Sequence, residues 1–160
     1  MKLIAIDLGS HMALAHNGDD DLVVTDYRHF EGLRSHRAGR TLIWLDQRVG
    51  EILAWYPAIQ GIVYERPFAR GMDATRCLWG LAGVIEAVAF RHGLAVLDMT
   101  PADVKKFATT SGKGKKLDML AAAQRMGYVG ENEHEADAYC LLRAALSTAT
   151  VTQPKVKHER

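Results

Sequence analysis

Four residues stand out for the chemistry their types and positions would permit together. Asp7 follows the apolar run Leu3-Ile4-Ala5-Ile6, and Glu65 follows Gly61-Ile62-Val63-Tyr64. His134 and Asp137 lie three apart in the acidic segment Glu131-Asn132-Glu133-His134-Glu135-Ala136-Asp137. An ionised carboxylate at the end of a buried strand is costly unless it is paired or holds a metal. Residues three apart share one face of a helix. Asp137 also precedes Ala138-Tyr139-Cys140-Leu141-Leu142, so a bare carboxylate there faces the body of the protein and needs a partner. Three carboxylates and one imidazole form the oxygen-rich donor set that hard divalent ions prefer, Mg²⁺ or Mn²⁺ above all. Two such ions about 4 Å apart can activate a water and stabilise the leaving oxygen in phosphodiester hydrolysis.

Simpler readings stand beside these. Asp7, two residues before Gly9, could be an end-of-strand turn former, and Glu131, Glu133 and Glu135 could complement the dipole of a helix start. Glu133 lies four residues before Asp137, so it is an alternative fourth ligand, although the spacing favours His134. Zinc fits less well, because no Cys pair or His-x-x-x-His spacing exists. His11, His16, His29, His36, His92 and His158 are scattered through the chain, and surface or hydrogen-bonded histidines account for most of them.

The elements that must position these groups follow from periodicity and punctuation. Residues 2–8 and 11–16 read as strands separated by Gly9-Ser10, and Asn17-Gly18 marks a turn before a third strand near 22–27, an antiparallel meander. Apolar residues at helical spacing predict a helix over about 37–56, ending before Pro57. Residues 61–65 read as a short buried strand. If that strand lies parallel to and beside the first, Asp7 and Glu65 emerge at the same edge of the sheet.

A second helix, about 72–91, is apolar on most of its circumference, and Gly80 and Gly83 would permit close approach of a neighbour. Such a helix is either sandwiched in the core or shared with a second subunit. A fifth strand at 94–97 leads to Thr100-Pro101 as cap and first helical residue, a helix to about 108, a Gly-Lys loop at 111–115, and helices over about 116–126 and 132–147. The order βββαβαβααα predicts an α/β fold: a central mixed five-stranded sheet with helices on both faces.

Composition sets the outer bounds. With 160 residues, 48% of them hydrophobic, the expectation is one domain over 1–151 and a mobile tail at 152–160. The opening apolar run is too short for a signal peptide, and no segment is long and apolar enough to span a membrane, so a cytoplasmic protein is expected. Cys77 and Cys140 sit in apolar helical patterns and read as reduced thiols. The formal net charge is +1, but the charge is segregated. Residues 66–125 carry 10 basic and 5 acidic side chains, whereas 1–65 carry 6 and 9. A neutral total conceals a basic block beside acidic ones.

On these residues the chain resembles the RuvC family of Holliday-junction resolvases, within the RNase H-like superfamily. Ile4-Ala5-Ile6-Asp7-Leu8-Gly9-Ser10 is similar to the family's first strand, whose aspartate binds metal. Val63-Tyr64-Glu65-Arg66-Pro67-Phe68 is similar to the segment bearing its catalytic glutamate, and Phe68 stands where an aromatic wedges into the junction. Lys105, in Val104-Lys105-Lys106, and Lys116 across the Gly-rich loop resemble a pair of functional lysines. His134-Glu135-Ala136-Asp137-Ala138 resembles the final motif, with His134 where aspartate is frequent; that exchange removes a charge and favours Mn²⁺.

The resemblance implies an RNase H-like fold and a homodimer that nicks opposed strands of a four-way junction. It implies Asp7, Glu65, His134 and Asp137 as ligands of two Mg²⁺ or Mn²⁺ ions, Lys105 and Lys116 as further catalytic residues, and no organic cofactor. The implied setting is a bacterial or phage-infected cytoplasm, in recombination, repair or replication-intermediate processing. Expected DNA contacts are Phe68, Arg66, Arg70, Arg76, Lys105, Lys113, Lys115 and Lys116. The competing readings are an RNase H-like nuclease for flaps, Y-forks or structured RNA, and a junction-binding module without catalysis. Lys113-Gly114-Lys115-Lys116 lacks the full phosphate-loop pattern of an NTPase.

Overall fold

The computed structural model describes residues 1–18, 22–31, 34–68 and 71–149. In chain order the elements are β1 (Leu3–Asp7), β2 (His11–His16), β3 (Val24–His29), α1 (Arg34–Trp55), β4 (Gly61–Glu65), α2 (Met72–His92), β5 (Ala95–Met99), α3 (Pro101–Thr109), α4 (Lys116–Arg125) and α5 (Glu133–Ala149). The strands form one sheet in the order β3-β2-β1-β4-β5. The first three pair antiparallel, and β4 and β5 add parallel to β1. This is the mixed sheet with helices on both faces that the element order predicts. The expected tail, 152–160, lies outside the described residues, as do positions 19–21 after the Asn17-Gly18 turn.

Local chemistry explains several boundaries. Asn17 Oδ1 accepts the Leu3 N–H at 2.8 Å, tying the turn back to the first strand. At Gly18 a Cβ would fall 2.5 Å from Cγ of Tyr56, so only glycine lets that ring close the edge of the core. Thr100 caps α3 by accepting the Asp103 N–H at 3.2 Å, with Pro101 in the first turn. The third strand lies two residues later than its composition suggests, because its extent is set by pairing with all of β2, from His16↔Val24 to His11↔His29. Its polar residues are accommodated at the sheet edge, where Asp26 accepts the Arg48 Nε–H at 2.5 Å.

The two faces of the sheet bury different material. Side chains alternate along a strand, so β1 sends Ile4 and Ile6 to one side and Leu3 and Ala5 to the other. Ile4 and Ile6 join Leu45, Val49 and Ile52 of α1 with Leu81, Ile85 and Val88 of α2. Leu3 and Ala5 join Ala13, Ala15 and Val63 with Ala138, Leu141 and Leu142 of α5 and Val104 and Met119 of α3 and α4. With nothing beyond Cβ on Ala5, Ala13 and Ala15, α5 packs directly on β1 and β2.

Helix α2 buries one face and exposes another. Leu81, Ala82, Ile85, Val88 and Ala89 are buried, whereas Met72, Trp79 and Phe90 are exposed. Helical periodicity puts those three and Gly83 on one outward stripe. Among the described residues no helix is long and apolar enough to cross a membrane. Both cysteines are free, and burial followed by the nearby Asp137 pushes the Cys140 thiol up to about 12.

Candidate metal centre and nucleic-acid face

Strand alternation and register assemble the site. Asp7 continues the parity of Leu3 and Ala5 and therefore turns toward α5; Glu65 continues the parity of Val63 and does the same. β1 and β4 are parallel neighbours, and Ile6 pairs with Tyr64. The next residue on each strand is an acid, so both acids leave the same end of the sheet, where α/β folds place their ligand sites. The first turns of α5 cross that end. His134 Nδ1 lies 3.8 Å from Asp7 Oδ2, and ligand atoms of Asp7, His134 and Asp137 all lie within 4.8 Å of one another. Glu65 lines the same cleft, of about 380 Å³, outside this tightest cluster.

The electrostatics are those of a site short of positive charge. Burial, and then the Asp7 carboxylate, raise Asp137 to about 6; Lys116, His134 and Lys105 pull in the opposite direction. A divalent cation there would supply what the neighbouring cations only partly provide, and oxygen donors with one imidazole suit Mg²⁺ or Mn²⁺. The residues present therefore fit the metal that the sequence predicts.

Glu133 and His134 separate cleanly. The Glu133 carboxylate lies 3.5 Å from Lys116 Nζ, whereas His134 joins Asp7 and Asp137. Asn132 organises the turn by accepting the His134 N–H at 2.9 Å and the Glu135 N–H at 3.3 Å through Oδ1. Glu135 is engaged by the Tyr128 hydroxyl at 2.7 Å, so it too serves structure.

Lys105 from α3 and Lys116 from α4 both line the cleft, although the Gly-Lys loop separates them in the chain. At the rim Phe68 is 69% exposed. Arg66 borders the cleft, and its guanidinium donates to Asp98 on β5. Arg76, Lys113 and Lys115 lie outside the cleft lining, and all three are exposed. Arg70 falls outside the described residues. A second cavity of about 400 Å³ lies between β5, α3 and α5 and contains none of the clustered ligands.

Sequence reasoning passed over three rings. His11 and Tyr27 are in hydrogen-bond contact at 2.7 Å, and His11 stacks on His29 and on His134. Burial and the neighbouring His29 and His134 lower the pKa of His11 below the ordinary histidine value. The parity of His11, Ala13 and Ala15 was the available signal, since it turns His11 toward the same face as Asp7.

No family model matches the chain, and no curated protein matches it by sequence. Among solved structures it is similar to "T. thermophilus RuvC in complex with Holliday junction substrate", with a TM-score of 0.75 and 20% identity over 93% of this chain and 94% of that one. A second structure, of Thermus thermophilus RuvC, has a TM-score of 0.68 and 20% identity over 94% of this chain and 96% of that one. The fold is therefore that of RuvC, the RNase H-like arrangement, over nearly the whole length of both chains.

Proposed function

We propose that this protein is a metal-dependent endonuclease that nicks four-way DNA junctions as a homodimer. The observation that carries the reading is the convergence of Asp7, His134 and Asp137 in one cleft that Glu65, Lys105 and Lys116 also line. That the similar fold belongs to a protein solved with a Holliday junction supports the substrate.

Asp7, Glu65, His134 and Asp137 hold the divalent ions, two Mg²⁺ or Mn²⁺ per site. When bound, these ions supply Lewis acidity and charge neutralisation at the scissile phosphodiester. Lys105 and Lys116 bind the phosphate beside that centre. Lys116 is held ready by Glu133 and can exchange that carboxylate for a phosphate oxygen, since both are anionic acceptors. The exposed ring of Phe68 stacks on a base at the opened crossover, replacing stacking lost in the duplex. Lys113, Lys115, Arg70 and Arg76 add sequence-independent attraction to the backbone. The outward stripe of Met72, Trp79 and Phe90 on α2 is the dimer contact, and the protein acts in a bacterial or phage-infected cytoplasm.

The test is a nicking assay on an immobile four-way junction, a Y-fork, a flap, a linear duplex and a structured RNA, with Mg²⁺ or Mn²⁺. Paired nicks in the junction, lost in Asp7→Asn and Glu65→Gln, are expected. Binding without cleavage would replace the enzyme with a binding module, and preferential cutting of the flap, fork or RNA would move the substrate. Cleavage that survives either substitution would overturn the assigned site.

A further inference from the structure

The proposed chemistry leaves unused the rings of β2 and β3 beside the metal ligands. Asp7 pairs with Ala13, and His11 and Ala13 pair with His29 and Tyr27. Strand alternation therefore puts His11, Tyr27 and His29 on the sheet face that carries Asp7. The rings of His11 and Tyr27 are nearly parallel, 16° apart with centroids separated by 6.2 Å. Nδ1 of His11 and the Tyr27 hydroxyl meet edge to edge at 2.7 Å. The imidazole of His134 lies over both members of this pair, at 4.7 Å and 9° from His11 and at 5.5 Å and 7° from Tyr27. His29 stacks on His11 at 4.0 Å and 7°.

An imidazole that binds a metal must present one ring nitrogen in its own plane toward the ion. In most sites a hydrogen bond to the other nitrogen sets that plane. Among the described residues, the side chain of His134 makes no such hydrogen bond; one edge faces Asp7 at 3.8 Å, and its face lies on the two rings. The β-hairpin thus does by stacking what a hydrogen bond does elsewhere.

We propose that His11 and Tyr27 are positioning residues of the metal centre: their hydrogen-bonded rings form the platform that orients the imidazole of His134 toward a divalent cation shared with Asp7 and Asp137. The proposal rests on the reading of that cluster as a metal site. It explains why His11 and Tyr27, whose side chains lie off the strand ends that carry the acids, are built into the approach to the centre. It also predicts an ion-specific effect, because loss of an oriented imidazole weakens Mn²⁺ more than Mg²⁺.

The experiment reads ion binding without DNA or turnover. Mn²⁺ is titrated into the protein at one fixed pH, free ion is followed by electron paramagnetic resonance, and Mg²⁺ affinity is obtained by competition. Circular dichroism in metal-free buffer checks that each variant is folded. His134→Ala is the reference. His11→Ala and Tyr27→Leu are expected to weaken Mn²⁺ about 10-fold and to narrow the Mn²⁺ over Mg²⁺ preference. His11→Phe, which keeps an aromatic face, is expected to stay within about threefold of the unsubstituted protein, a smaller loss than that usual when a group supporting a metal ligand is removed.

If His134→Ala binds Mn²⁺ normally, the metal-site reading itself fails. If His134→Ala is weakened but His11→Ala and Tyr27→Leu are normal, the positioning proposal alone is overturned. Failure of His11→Phe to restore affinity while folded also overturns it. Should His11→Ala not fold, Tyr27→Leu on the edge strand decides the question.

Discussion

Lys116 Nζ lies 3.5 Å from a carboxylate oxygen of Glu133, so the acid next to His134 is engaged by the lysine that opens α4, leaving the carboxylate cluster to its neighbour. Glu133 and His134 are adjacent in the chain and both share a helix face with Asp137, but of the two it is His134 that lies in the cluster with Asp7 and Asp137. Glu133→Gln is therefore expected to keep Mn²⁺ affinity within about twofold, whereas His134→Ala loses about 10-fold or more, the scale on which a ligand shell is felt. Calorimetric titration of both variants separates them. Equal losses would return Glu133 to the ligand set.

Asp137 predicts an exchange of stability for function. Its folded-state pKa of about 6 lies above the ordinary aspartate value of 3.8, so between those values the folded state binds the proton more readily than the unfolded state does. Stability without metal then falls as pH rises through that window, and the penalty is fully present above about pH 6. Asp137→Asn should abolish cleavage while raising the metal-free melting temperature at pH 7.5 by about 2–4 °C, the shift that accompanies about 1 kcal/mol in a domain of this size. The gain should shrink toward pH 4. A melting temperature that is lower for the variant at pH 7.5 would contradict it.

Phe68 can be tested by asking for a loss of function with little loss of stability. Because its ring is 69% exposed, Phe68→Ala should alter unfolding free energy by no more than about 0.5 kcal/mol. Junction cleavage should fall more than junction affinity, since a ring that stacks on an opened base acts on DNA distortion. Denaturant melts, gel-shift titrations and single-turnover nicking measure the three quantities. Unchanged nicking would remove the stacking role.

The outer stripe of α2 bears on assembly. Trp79 and Phe90 are 53% and 89% exposed, and large apolar groups aligned on one helix face mark contact surfaces. Trp79→Glu with Phe90→Glu should convert a dimer to a monomer by light scattering, with Mn²⁺ affinity within about twofold because the stripe lies apart from the donor set. Junctions should then receive single nicks in place of paired ones. A variant that stays dimeric would place the contact elsewhere.

Much of this molecule was legible in its residues because the signals are local. Short apolar runs ending in an acid marked 2–8 and 61–65 as buried strands, and Thr100-Pro101 marked the start of α3. The three-residue spacing of His134 and Asp137 already required a common helix face. These patterns are imposed within a few residues, by backbone sterics, helical pitch and the cost of burying an unpaired charge.

What the residues left open depended on which distant elements touch. Only the tertiary structure made β1 and β4 parallel neighbours, seated α5 on the alanines of β1 and β2, and thereby brought His134 beside Asp7 and Glu133 beside Lys116. It alone brought His11 and Tyr27 beneath that imidazole, because the parity of a strand shows which face a side chain takes but not which helix will cover it. Those choices are made by long-range packing, where small side chains permit close approach and register aligns the strand ends, so they are properties of the folded chain as a whole.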